Sequence, residues 1–263
     1  MTTYEIVEAG SEPILFVDIV PLGKRAARVV AGLPPAPERP LSAICRVAAN
    51  GGRREEGAFA VAQIEPPALV IACADLREEL DGWAPPKSTA CVGVFVMPTR
   101  DPELARAQKN LAEFRRVCTA TLLLAASPSV SPEKVLATAL HDLTAFTRAT
   151  VIAPDLTSVI HALTTGGSQL RCASAQRNGP DAVQSVVRYL IPSLRSRAHQ
   201  MPRRVLLSVE STGPVPLREV SLALEKLIEI LPSDADLVFS VAAGSSTSGL
   251  VRASMTAGVP RPS

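Results

Sequence analysis

Residues Cys91–Ala125 read CVGVFVMPTRDPELARAQKNLAEFRRVCTATLLLA, and this stretch decides the fold class. Cys91–Val96 is a short unbroken apolar run, the pattern of a strand buried on both faces. Asp101–Val117 then turns helical: Asp101 suits a cap, Pro102 the first position, and Leu104, Leu111 and Phe114 share one side. A second apolar run, Thr119–Ala125, follows at once. Strand, helix and strand in so few residues imply parallel neighbours joined by a crossover helix. The expected fold is therefore α/β, a mostly parallel, Rossmann-like sheet with helices on both faces.

The pattern extends outward from there. Upstream, Ile14–Val20 and Ala68–Cys73 read as further buried strands. Lys24–Gly32 reads as a helix with Ala26, Ala27, Val29 and Val30 apolar. Pro34-Pro35-Ala36-Pro37 and Asn50–Glu56 read as loops or turns. Downstream, Pro132–Arg148 has the period of one long amphipathic helix, with Val135, Leu136, Ala139, Leu140, Leu143 and Phe146 inside. A smaller α+β part follows: helix Leu156–Thr164, strand Gln169–Ala175, helix Pro180–Ser193, strand Val205–Val209 and helix Pro216–Leu231. The last helix carries a stripe of Leu217, Val220, Leu224, Leu227, Ile228 and Leu231. Strands Leu237–Ala242 and Leu250–Thr256 close the chain, and Gly244–Gly249 is expected to join them as a hairpin. The expected organisation is an N-terminal domain (1–131), a central helix (132–150) and a C-terminal domain (151–263).

Composition narrows the function. With 47 % apolar and 20 % charged residues the chain has the make-up of a folded protein. A net charge of +2 gives no general attraction to nucleic acid or anionic lipid. Trp83, Tyr4 and Tyr189 are too few for a base-stacking platform. Arg188, Arg195, Arg197, Arg203 and Arg204 gather in one stretch, which reads as a solvated helix end and loop. Cys45, Cys73, Cys91, Cys118 and Cys172 form an odd set, mostly inside apolar runs. Free thiols and a cytoplasmic location are expected from this. No apolar run nears the ~20 residues of a membrane helix. His141, His161 and His199 have no ligand spacing, so no metal is expected. Ser208 lacks the flanking glycines of a nucleophile elbow. His141 and Asp142, adjacent on a helix, should point different ways.

Local wording in the second half resembles FtsZ, the bacterial relative of tubulin. In FtsZ a central helix ends in a loop reading Asn-x-Asp-x-x-Asp before the next helix. This catalytic loop forms the interface with the next subunit, where its acidic side chains position the water that attacks the nucleotide. Here the matching run is Thr147–Val159, with Ala153 for the Asn, Asp155 kept, and Ser158 for the second Asp. Asn178-Gly179-Pro180-Asp181-Ala182 and Leu190-Ile191-Pro192-Ser193-Leu194 match a following helix. Leu217-Arg218-Glu219-Val220 matches a Leu-x-Glu-Val helix start, and Val251–Gly258 resembles the closing strand. The match runs from about Ile14 to Gly258 and is specific in the second half, where order and spacing agree over about a hundred residues.

The resemblance implies an FtsZ/tubulin-like fold, and the first half departs from it wherever FtsZ touches nucleotide. A phosphate cradle needs successive glycines, so that backbone N–H groups can close on the anion. After its first strand this chain has Asp18-Ile19-Val20-Pro21-Leu22-Gly23-Lys24-Arg25. Only Gly23 remains, Pro21 lacks a donor, Asp18 should repel phosphate, and Arg25 stands where a P-loop has Ser or Thr. The glycine-rich tubulin signature should follow Val70–Cys73, but Ala74–Asp81 is acidic, with Asp75 near its start. Asp155 has a plain alternative role as a helix N-cap. The expectation is no catalytic residue, no cofactor, and a non-enzymatic protein that self-assembles or binds FtsZ-type filaments, without direct membrane or nucleic-acid contact. The family's C-terminal membrane-recruiting tail is also not expected. Divergent nucleotide hydrolysis, or an adaptor role for the old contact faces, are the alternatives.

Overall fold

The computed structural model describes residues 15–33, 43–47, 67–78, 80, 83–85, 89–98, 101–125, 129–165, 169–194, 202–244, 246 and 249–259. The expected loops at Pro34–Pro37 and Asn50–Glu56, together with Arg195, Arg197 and the residues after Val259, lie outside these. In chain order the elements are β1 (Leu15–Leu22), α1 (Lys24–Ala31), β2 (Ala43–Val47), β3 (Leu69–Asp75), β4 (Ala90–Met97), α2 (Asp101–Val117) and β5 (Ala120–Ala125). Then come α3 (Pro132–Leu143), a 3-10 turn (Ala145–Arg148), α4 (Leu156–Thr164), β6 (Gln169–Arg177) and α5 (Ala182–Leu194). The chain closes with β7 (Arg204–Ser211), α6 (Leu217–Ile228), β8 (Asp236–Ala243) and β9 (Val251–Val259).

The strands form one sheet in the order β2-β1-β3-β4-β5-β6-β9-β7-β8. Every neighbouring pair is parallel except those of β9, which runs antiparallel to β6 and β7. β3 is buried along its whole length and β4 along all but its ends, which is why both read as unbroken apolar runs. Helices α1, α3 and α4 cover one face, packing on Val17, Ile19, Ile71, Val92 and Val94. α2 covers the other through Leu111 and Phe114, whose ring stacks on Phe95 at 4.9 Å. Leu122 and Leu170 pair in register and share the first face. α5 and α6, packed on Val205, Leu207, Val209 and Met255, therefore lie on the side of α2. β5 and β6 pair over only Thr121–Gln169 and Leu122–Leu170, a narrow seam in the backbone ladder. The core bridges it, since Leu156, Val159 and Leu163 of α4 pack in one cluster with Val92 and Leu206. Each such buried aliphatic side chain contributes about 1.5–3 kcal/mol over its exposed state.

Four expectations change. Strands β8 and β9 make no hairpin, because β9 inserts between β6 and β7 and leaves β8 at the edge. The link crosses the end of β7, with Gly244 N donating to Ser211 O (2.9 Å) and Ser246 N to Thr212 O (2.7 Å). A Cβ on Gly244 would sit 2.5 Å from Thr212 O, and one on Gly213 2.4 Å from Ser246 O, so both positions need glycine for this crossing. Second, the Pro132–Arg148 helix breaks after Leu143. Ala145, Phe146 and Thr147 are all buried in succession, which a continued α-helix at a sheet surface does not allow. Thr144 ends the helix, its Oγ1 donating to Leu140 O (2.8 Å). Third, the α6 stripe divides: Val220, Ala223, Leu227 and Leu231 are buried, whereas Leu217 (58 %) and Ile228 (60 %) are exposed on the outer side. Fourth, β2 lies in a segment to which no strand was assigned.

Candidate functional site

The order β2-β1-β3 makes β1 the point where the chain reverses its direction of travel across the sheet. In open α/β sheets ligands bind outside the carboxyl ends of the strands at such a point. The turn there is one residue, Gly23, at φ 86°, between β1 and α1. Asp18 is not part of it. It lies inside β1, level with Arg46 and Val70, well short of the tip, so the expected repulsion of a ligand does not arise from it. Pro21 is also within the strand, buried opposite Cys73. Arg25 and Asp75 do converge at the tips.

What fills the crevice is an ion network. Asp75 ends β3 with 1 % of its side chain exposed, and its Oδ2 meets Arg25 Nη1 at 2.7 Å and Arg77 Nη2 at 2.6 Å. Arg77 N and Nε also donate to Asp75 Oδ1, at 3.1 and 2.9 Å. Burial pushes the Asp75 carboxyl up, but the hydrogen bonds from Arg77 and then Arg25 outweigh it and hold it below the usual carboxylate range. Arg25 Nε also lies 3.9 Å from Glu78 and 3.7 Å from Glu133, and Arg77 Nη1 lies 3.9 Å from Glu103.

Glu78 has the most telling position. Both its carboxylate oxygens accept from Arg25 N, at 3.3 and 3.2 Å, in the first turn of α1. A Cβ on Gly23 would stand 2.2 Å from Glu78 Oε2, so the carboxylate lies directly against the turn. This is the place where a helix N-terminus presents unpaired N–H groups and the positive end of its dipole to an anion. The chain's own carboxylate occupies it. Asn110 Nδ2 fixes the turn from α2 by donating to Leu76 O (3.1 Å) and Glu78 O (3.2 Å). Beside it an open cleft of about 390 Å³ is lined by Glu78, Leu80, Ala105, Arg106, Lys109 and Asn110. Glu78 was legible only as part of an acidic stretch; its seat depends on a partner 53 residues away.

The loop before α4 is placed by the edge strand. Thr150, Val151 and Ile152 N all lie within 3.2 Å of Val241 O, and Val241 N donates to Ile152 O at 2.9 Å. Ala153, Asp155 and Ser158 come together at the start of α4. Asp155 caps that helix, its Oδ2 accepting from Ser158 N (3.0 Å) and Ser158 Oγ (3.3 Å). Asp155 and Ser158 are exposed, and neighbouring Val151 is 46 % exposed.

A third polar cluster joins α3 to the C-terminal strands. Asp142, with 3 % of its side chain exposed, pairs with Arg252 of β9, whose Nη2 also donates to Ser174 Oγ (3.0 Å). Arg148 caps the C-terminus of α3 by donating to His141 O (2.6 Å) and pairs with Glu210 of β7 (2.8 Å). His141 and Asp142 approach more closely than adjacency on a helix implied, Nδ1 to Oδ1 3.8 Å, yet beyond hydrogen-bond reach. Ser174, Ser254, Ser208 and Ser240 form one cross-strand row beneath, and these short side chains leave room for Asp142. Among the described residues no group of three or more His, Cys, Asp or Glu is placed to hold a metal. No helix among them is long and apolar enough to cross a membrane.

No family model and no curated protein matches the sequence. Solved structures do match the fold. An empty FtsZ dimer from M. jannaschii aligns with a TM-score of 0.68 at 12 % identity, over 93 % of this chain and 88 % of that one. A CetZ from Methanosaeta thermophila strain DSM 6194 gives 0.59 at 12 % identity, over 95 % and 88 %. TubZ of Bacillus thuringiensis serovar israelensis, solved as GDP-form protofilaments, gives 0.52 at 11 % identity, over 74 % and 65 %. The parallel sheet, its helices on both faces, the antiparallel closing strand and these alignments together give this chain the FtsZ/tubulin-like fold.

Proposed function

We propose that this chain is a non-enzymatic, FtsZ-like cytoskeletal protein that assembles with itself or with an FtsZ-type filament, without binding or hydrolysing GTP. The carrying observation is the Glu78 carboxylate seated on the N-terminus of α1, backed by Arg25, Asp75 and Arg77. A nucleotide phosphate would have to displace a tethered anion and find glycine-poor backbone behind it. The surviving Asp155 is committed to capping α4. One carboxylate cannot replace a set of groups that positions water for phosphoryl transfer. On this reading residues 1–131 are a reduced GTPase-like unit, 132–150 the connecting helix and 151–263 the better-preserved assembly unit. We place the protein in the cytoplasm.

Calorimetry with GTP and GDP, together with sedimentation alone and with authentic FtsZ, tests this. No binding heat, and pelleting of the chain by itself or with FtsZ, is expected. Micromolar nucleotide binding would return the chain to the hydrolases. Absence of pelleting in both arms would remove the assembly role. That result would favour an adaptor, a reading to which the exposed Leu217 and Ile228 on α6 lend weight.

A further inference from the structure

Cys91 opens the buried part of β4, and Cys118 follows the last turn of α2; both are buried. Their sulfurs lie 3.5 Å apart. The backbone on each side is pinned, since Cys118 N donates to Phe114 O (2.8 Å) and Thr119 N to Cys91 O (2.8 Å). The separation exceeds a disulfide bond of ~2.05 Å by about 1.5 Å, so bond formation requires side-chain rotation about χ1. Of the other cysteines whose side chains are described, Cys73 Sγ faces Val20 O and Cys172 Sγ accepts from Thr256 Oγ1. The pair has no part in the crevice or in the α3 joint. The bond to Cys118, and then burial, push the Cys91 thiol up, and both sulfurs are shielded from solvent while α2 is seated. Reaction requires local opening of the last turn of α2.

We propose that Cys91 and Cys118 are a latent dithiol that a hydroperoxide converts to an intramolecular disulfide, stapling α2 to β4. One sulfur attacks a peroxide oxygen, the O–O bond breaks, and the departing oxygen leaves as water, or as an alcohol from an organic peroxide. The sulfenic acid so formed is attacked by the second sulfur, and its S–O bond breaks with loss of water. Each sulfur is oxidised by one electron, the two peroxide oxygens are reduced, and both thiol protons end in the departing products. The staple fastens the helix whose Asn110 holds the Leu76–Glu78 turn. Oxidation is thereby coupled to the rigidity of the crevice.

The test uses the full chain, reduced, treated with hydrogen peroxide, alkylated under denaturing conditions and mapped by mass spectrometry without reductant. A peptide cross-link joining residues 91 and 118 within one chain is expected, with a rise in melting temperature on the order of 5 °C that dithiothreitol reverses. Cys118→Ala should abolish both; if that variant does not fold, the wild-type map decides alone. Recovery of residues 91 and 118 as alkylated thiols or as sulfinic acids would overturn the proposal. So would preferential cross-linking to Cys73 or Cys172, or a cross-link with no rise in melting temperature.

Discussion

The crevice at the β1 and β3 tips and the joint beneath α3 use the same chemistry to opposite ends. Both are built from arginine–carboxylate pairs around one nearly inaccessible aspartate, Asp75 in the first and Asp142 in the second. In the joint two arginines, Arg148 and Arg252, face two carboxylates, Asp142 and Glu210, and the charges balance. In the crevice Arg25 and Arg77 face Asp75, Glu78, Glu103 and Glu133, two cations against four carboxylates within the network, at the carboxyl ends of the strands where ligands ordinarily bind, with Arg106 and Lys109 lining the cleft alongside. A balanced, covered network fixes how elements meet. On the function proposed above, the half-exposed one takes the place of a bound anion.

The comparison can be broken from the joint first. Arg252→Ala strands the buried Asp142 carboxylate and should cost about 3–5 kcal/mol in urea unfolding, the largest single effect expected. A loss below ~1 kcal/mol would mean that Asp142 is not held by this pair. In the crevice Arg77→Ala should cost about 2–3 kcal/mol, less than in the joint because Arg25 still reaches Asp75.

The pH dependence sharpens the same point. The folded-state pKa of Asp75 lies below its unfolded value, so its stabilisation is complete above about pH 4 and is lost as pH falls through the lower folded value. Acid titration of stability should show this limb flattened in Asp75→Asn; an unchanged acid limb would place the pH sensitivity elsewhere. Smaller again, Glu78→Ala removes the anion from the α1 N-terminus and should cost about 1 kcal/mol by thermal melting. Smallest is Asp155→Ala on an exposed cap, roughly 0.5–1 kcal/mol, with no effect on any nucleotide binding. If Asp155→Ala changed hydrolysis of GTP instead, the capping role would not be its main one.

Much of the architecture was legible because its signals are local. The start of α2 carries an Asp-Pro pair and α4 carries its capping Asp155, and both helices begin and end where the residues indicated. β3 and β4 announced themselves as strands buried on both faces. The break in α3 carried a weaker signal: Ala145, Phe146 and Thr147 continue the helical period in composition while all three turn inward. The α6 stripe misled because leucine and isoleucine read alike whether they face the sheet or solvent. At the crevice, the lack of glycines was visible in the residues around Gly23, but Asp18 was assigned to a turn it does not reach.

Sequence alone settled the alternation of strand and helix, the helix starts and the scarcity of glycine around Gly23, since each depends on residues within a turn or two of one another. Tertiary structure decided that β9 lies between β6 and β7, that Glu78 sits on α1, and that Arg252 reaches Asp142. Those contacts join residues 53 and 110 positions apart. Their partners are chosen by which elements the buried core brings side by side, and no local pattern of charge or hydrophobicity encodes that choice.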